Sequence, residues 1–268
     1  GGSRARADRH EQGIVGVAFH MRRFVTLYHG GELTEAEKDA TAYADGRCDG
    51  LILTPPFCDE SITAPLRDMH FPFVTIGDSN DHPFIPSVDI DNESAGKRAA
   101  QYLLGQGHRN ILALTTYHYP HATRRRLSGC RQEVVRQKGR YREAMIAGKT
   151  DADAIEALQG YLTCEESERP TAIFCLTDQI ALQVLRVLPR LGQNVPRDIS
   201  VMGFDDIPEA TDAGLTTIRQ NPVGIGEEAT RLLMRLISTP AEEWLSEPIK
   251  ITMPTFLVER GSVTRNEQ

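Results

Sequence analysis

The segment Val195-Pro196-Arg197-Asp198-Ile199-Ser200-Val201-Met202-Gly203-Phe204-Asp205-Asp206-Ile207-Pro208 constrains the fold more than any other part of the chain. A largely apolar run, Ile199 to Met202, ends abruptly at Gly203 and two carboxylates. A parallel strand buried on both faces reads this way when its carboxyl end opens onto a polar crevice. Open α/β sheets bind their ligands in that crevice.

The rest of the chain supports such a sheet. Further apolar bursts at Ile14–Phe19, Phe24–Tyr28, Gly50–Leu53, Phe73–Ile76, Ile111–Leu114, Ala144–Ala147 and Ala172–Leu176 predict strands. Helical spacing predicts helices over Glu93–Leu104, Leu127–Gln137, Ala152–Leu162, Gln179–Leu191 and Gly224–Ile237. Alternation of the two kinds argues for a doubly wound parallel sheet. With 268 residues, 40% of them hydrophobic, the chain can bury one large core or two lobes. One place breaks the alternation. Only His20, Met21, Arg22 and Arg23 separate the first two predicted strands. Parallel neighbours need a crossover of about a dozen residues, and the Gly/Asn/Asp signal of a tight hairpin is absent. Either the region folds differently or residues have been lost from the chain there; the second reading is preferred.

Charge and cysteine content exclude several functions. There are 30 Lys+Arg against 37 Asp+Glu, a net charge of -7, whereas a surface gripping DNA phosphates is usually basic. The chain itself is therefore a poor duplex binder. Cys48, Cys58, Cys130, Cys164 and Cys175 are odd in number and lack metal or redox spacing. They read as reduced thiols of a cytoplasmic protein. No apolar run is long enough to span a bilayer, and no secretory signal is visible. Gly148-Lys149-Thr150 is not a phosphate loop, because Glu143 stands where its first glycine belongs. Gly224-Ile225-Gly226 follows Asn221-Pro222 rather than a strand, and Glu227 and Glu228 would meet a pyrophosphate, so it reads as a helix start. No nucleophile stands with a plausible base. No metal site and no cofactor are expected.

The opening segment resembles the VPxDISVxGFDD signature of LacI/GalR-family transcription regulators. Leu215-Thr216-Thr217-Ile218-Arg219-Gln220 is similar to the family's LTTxRQ, Pro170–Asp178 to PTAIFxxND, and Cys48–Leu53 to VDGIIL. The stretch from Asp91 to Ile111 resembles DNxxxGxxxAxxxLxxxGHRxI, and Pro254–Ser262 the usual carboxyl terminus. The resemblance implies an α/β fold like type I periplasmic binding proteins: two doubly wound parallel-sheet lobes joined by three crossovers. It places the N-terminal lobe at residues 13–107 plus 220–249 and the C-terminal lobe at 108–219 plus 250–258. Residues 1–12 would be a tag or hinge remnant and 259–268 a tail. It further implies a cytoplasmic homodimer that binds a small polar effector, a sugar or related metabolite, between its lobes. Operator DNA would be a partner only through an N-terminal headpiece that this sequence lacks. The alternative is a periplasmic solute-binding protein for sugar uptake.

Candidate effector residues follow. Asp205 and Asp206 either accept hydrogen bonds from ligand hydroxyls or cap the next turn; the resemblance gives the effector to Asp205 and structure to Asp206. In Arg124-Arg125-Arg126, the RxxG resemblance assigns the effector to Arg126, whose fork suits two oxygens, and leaves the other two on the surface. Thr177 stands where the family carries Asn, and Asp178 either contacts the effector or caps the following helix. Tyr117 and His118 follow a strand and would rim the crevice. Thr150 stands where sugar-sensing relatives carry an aromatic platform, which leaves that role to Tyr117 or Tyr119.

Overall fold

The computed structural model describes residues 2–27, 46–54, 60–77, 84–116, 120–246 and 248–267. The chain divides into two compact units, 1–90 with 221–253, and 91–220 with 254–268. It passes between them three times, as the resemblance implies.

In the first unit, strands β1 (Leu51–Leu53), β2 (Phe73–Ile76), β3 (Ser87–Ile90) and β9 (Lys250–Met253) form one sheet in that order, with every described pair parallel. Phe73, Val74, Ile76 and Val88 are buried, as expected of strands covered on both faces. Trp244, in the short helix α9 (Ala241–Trp244), meets Phe73 edge to face at 6.3 Å. Helix α8 (Pro222–Ile237) buries Ile225, Ala229, Leu232, Leu233 and Leu236, a stripe at helical spacing. Against it lies helix α1 (Gly2–His20). The contact is tight because two glycines carry it. A Cβ on Gly13 would stand 2.0 Å from the Val223 carbonyl oxygen, and one on Gly226 would stand 2.1 Å from that of His10.

Helix α1 corrects the expectation for the amino-terminal region. Ile14–Phe19 is helical, not a strand, and Phe24–Leu27 carries no regular structure; Tyr28 lies outside the described residues. His10, Gly13, Ile14 and Ala18 are buried together, which is the period of a helix face. The short apolar run in Ile14–Phe19 satisfies either period. The region folds as a helix followed by irregular chain, not as the two strands expected. Residues 2–12 belong to α1 rather than to a separate remnant.

The second unit holds a six-stranded sheet in the order β10-β8-β7-β6-β4-β5. These are β4 (Asn110–Thr116), β5 (Arg140–Ile146), β6 (Ala172–Cys175), β7 (Ser200–Asp205), β8 (Thr216–Arg219) and β10 (Phe256–Val258). All pair in parallel except β10, which runs antiparallel to β8. Strand β7 is buried along its whole length. Leu112, Ile173 and Val201 from three adjacent strands share a core with Leu158 of α5 (Asp151–Leu162) and Val184 of α6 (Asp178–Val187). Helix α3 (Asn92–Gly105) packs against α4 (Pro120–Arg136), again through glycines. A Cβ on Gly96 would stand 2.1 Å from the Arg126 carbonyl oxygen, and one on Gly129 would stand 2.0 Å from that of Glu93.

That packing moves the lobe boundaries. The first crossover falls at Ile90–Asp91, not near Gly107-His108, because α3 belongs with α4 in the second unit. The last falls at Met253–Pro254, because β9 completes the first unit's sheet by pairing with β3. Two crossovers coincide with capped helix starts. Asp91 accepts from the Ser94 amide at 2.9 Å, and Asn221 from the Gly224 amide at 3.0 Å. Residues 259–266 are no loose tail. Buried Ser262 donates to the Val201 carbonyl at 2.6 Å and accepts from the Thr216 amide at 2.8 Å.

Candidate functional site

The carboxyl ends of β4, β6, β7 and β8 gather the second unit's polar chemistry. Arg126, in α4, is 3% exposed. Its Nε donates to Asn92 Oδ1 at 2.8 Å and one terminal nitrogen to the Leu176 carbonyl at 2.9 Å. The guanidinium lies over the Phe204 ring, 3.7 Å from its centre, a cation–π contact in a desolvated setting. Phe204 immediately precedes Asp205. The structure thus brings the two foremost predicted effector residues to one end of one sheet. Arg124 is exposed and Arg125 half-buried, so Arg126 is the inward member of the run.

Asp205 and Asp206 close β7 in a turn with two successive positive φ angles, 119° and 57°. Residues with a Cβ rarely adopt such backbone unless the surroundings impose it. Asp205 accepts from Gln220 Nε2 at 2.5 Å. Asp206 accepts from Arg219 Nε at 2.6 Å and from an Arg260 terminal nitrogen at 2.7 Å. Burial alone would raise the pKa of Asp206, yet the two arginines outweigh it and hold the carboxyl below its ordinary range. Arg260 also binds the Leu215 carbonyl at 2.7 Å, so Asp206 is a fastener between β7, β8 and the carboxyl-terminal segment.

Asp178 is fully buried, and its oxygens are engaged within the unit. It accepts from the Thr217 hydroxyl at 2.6 Å and from the Ile207 amide at 2.9 Å. A Cβ on Gly203 would stand 2.1 Å from the first of these oxygens, which is why a glycine interrupts β7. Burial pushes the Asp178 carboxyl up to about 6; Thr217 opposes that rise, and nearby Asp205 reinforces it. The cap of α6 is Thr177, not Asp178: its Oγ1 accepts from the Ile180 amide at 3.3 Å. Thr150 likewise caps α5, in a reciprocal box with Asp153. Tyr117, His118 and Tyr119 lie outside the described residues. Among the described residues no three His, Cys, Asp or Glu side chains group as a metal site. No described helix is long and apolar enough to cross a membrane.

Residues 100–263 match the periplasmic binding protein-like domain family. The chain belongs to that family. Its relatives are LacI-type regulators. The transcriptional regulator CelR of Thermobifida fusca is 29% identical over 255 residues, which cover 92% of this chain and 73% of CelR. A LacI-family regulator from Enterococcus faecalis, solved with bound ribose, superposes with a TM-score of 0.80 at 25% identity, covering 98% of this chain and 95% of that one. A CelR–cellobiose complex superposes with a TM-score of 0.78 at 26% identity, covering 96% of this chain and 79% of that one.

For a periplasmic binding protein-like domain, the site reads more fully in the structure than in the motifs. Phe204 and Asn92 hold Arg126, Gln220 holds Asp205, and Arg219 and Arg260 hold Asp206; none of the five was a sequence candidate. Gln220 and Arg219 stood in plain view in the LTTIRQ segment. Pairing sets Arg219 opposite Asp205, and that register brings Arg219 to Asp206 and the following Gln220 to Asp205.

Proposed function

We propose that this chain is the effector-sensing and dimerising part of a cytoplasmic LacI-type transcription regulator and that it performs no chemistry on its ligand. Its effector is a sugar or a related polyhydroxylated metabolite. The observation that carries this reading is the stacking of Arg126 on Phe204, one residue before Asp205, at the carboxyl end of the second unit's sheet. A guanidinium and a carboxylate there offer donors and acceptors in the pattern that vicinal hydroxyls require. The sugars named for two similar structures belong to the same chemical class. The mechanism is linkage: an effector that prefers one arrangement of the dimer shifts its population, and with it the operator affinity of the attached DNA-binding region.

Thermal-shift measurements with D-ribose and cellobiose, followed by calorimetry, test the reading. Sugar binding by the wild type that falls about tenfold or more in Asp205→Asn supports it. Equal binding by Asp205→Asn and Arg126→Ala removes the site. Light scattering should give a dimer at micromolar concentration. Cell fractionation separates the alternative, since an uptake protein would be recovered from the periplasm.

A further inference from the structure

We propose that Gln220 is a positioning residue for the effector site: its amide holds the Asp205 carboxylate in its binding orientation and ties it to the point where the chain leaves the second unit. The proposal rests on the reading of Asp205 as an effector contact.

Asp205 cannot hold its place by backbone preference, because a φ of 119° is outside the range that an L side chain favours. Contacts must fix it, and one of them is the hydrogen bond from Gln220 Nε2 at 2.5 Å. Both residues are buried, at 8% and 5% exposure, so the bond is sheltered from water. The contacts cross: Arg219, one residue before Gln220, grips Asp206, one residue after Asp205. Strands β7 and β8 are in register with Asp205 opposite Arg219, so two successive side chains of one strand end clamp two successive carboxylates of the other. Gln220 is also the last residue of the second unit; Asn221 caps α8 in the first. A displacement of Asp205 by an effector therefore pulls directly on a crossover. Hinges that absorb such changes are typically a few residues at element ends.

The test compares wild type, Gln220→Leu, and the exchanged pair Asp205→Asn with Gln220→Glu, in which the amide and carboxylate trade places. Hydrogen–deuterium exchange of the ligand-free chain reads the clamp. Gln220→Leu should speed exchange over residues 204–208 about tenfold while the core strands keep their protection. The exchanged pair should restore slow exchange. Calorimetry with D-ribose and cellobiose reads the consequence. Gln220→Leu should weaken sugar binding about tenfold, and the exchanged pair should stay weak because the carboxylate has left position 205. Unchanged exchange in Gln220→Leu overturns the proposal, as does a failure of the exchanged pair to restore protection. If the clamp behaves as described and Asp205→Asn binds sugar normally, the effector reading fails and the clamp stands.

Discussion

The two units use the same device to pack a helix pair and put it to different use. In the first, Gly13 and Gly226 let α1 and α8 touch backbone to backbone; in the second, Gly96 and Gly129 do so for α3 and α4. Such close crossings need glycine, because interaxial distance follows the side chains at the contact. The carbonyl that Gly96 meets belongs to Arg126 itself. Fixing that carbonyl fixes the root of the guanidinium, whose tip is then held by Asn92, Leu176 and Phe204. In the first unit the matching carbonyls belong to Val223 and His10. A shared packing solution thus also anchors, in the second unit, the buried guanidinium proposed to meet the effector.

The largest test of this comparison is substitution of the four glycines by alanine. Each new Cβ would stand about 2 Å from a backbone oxygen, so the helices must separate. Each variant should lose about 2–3 kcal/mol of stability by denaturant unfolding. The pairs should then part company. Gly96→Ala and Gly129→Ala should also lose sugar affinity in the folded protein, because Arg126 moves; Gly13→Ala and Gly226→Ala should lose much less. Equal losses of affinity in both pairs would break the comparison.

A second test concerns the buried carboxylate of the second unit. Asp178 titrates near about 6, above its ordinary 3.8. The folded state therefore holds this proton more tightly than the unfolded state. The stabilisation is fully present below about pH 4 and is lost as pH rises through 6. A gap of that size is on the order of 2–3 kcal/mol. Asp178→Asn removes the titration. Relative to wild type, its stability should improve steadily from pH 4 to pH 7. Asp91 and Glu133, with lowered values, act in the opposite direction in both proteins and cancel in the difference. A difference that stays flat with pH would show that Asp178 does not titrate in this window.

Third, Arg126→Ala should weaken sugar binding about ten- to a hundredfold. It should also cost about 1–3 kcal/mol of stability, because Asn92 and the Leu176 carbonyl lose a donor and Phe204 loses its stacked cation. Arg124→Ala, at an exposed position, should change stability by less than about 0.5 kcal/mol. A stability-neutral Arg126→Ala would mean that the guanidinium serves the ligand alone.

The second unit was the more legible in the sequence, for a physical reason. Strands β6 and β7 are buried along their length, and Ala172–Leu176 and Ile199–Met202 read as apolar runs. Strands β3 (Ser-Val-Asp-Ile), β8 (Thr-Thr-Ile-Arg) and β9 (Lys-Ile-Thr-Met) were missed as strands, because three or four mixed residues carry too little periodicity. The Ile14–Phe19 run misled because its period is ambiguous, and only packing on α8 decides it. Arg126 and Asp205 were found through motifs. Their supports were not, because Arg126–Asn92, Asp205–Gln220 and Asp206–Arg260 join residues 34, 15 and 54 positions apart. Thr177, which stands where the family carries Asn, has its hydroxyl in the cap of α6.

Position 177 supplies the smallest and most discriminating test. Thr177 Oγ1 caps α6 through the Ile180 amide. Thr177→Ala removes the cap and should cost about 1 kcal/mol. Thr177→Asn keeps it, because Asn caps at least as well as Thr, so stability should move by no more than a few tenths of a kcal/mol. Any change in sugar affinity on Thr177→Asn then comes from the side chain facing the ligand and not from a frayed helix. If position 177 reaches the effector, the added amide offers donors that the hydroxyl lacks, and the ranking of sugars in a binding panel should shift. If it does not, the Asn variant should rank them as the wild type does. In that case Thr177 serves the helix alone, and Arg126, Asp205 and Asp178 are the described candidates that stay for the effector.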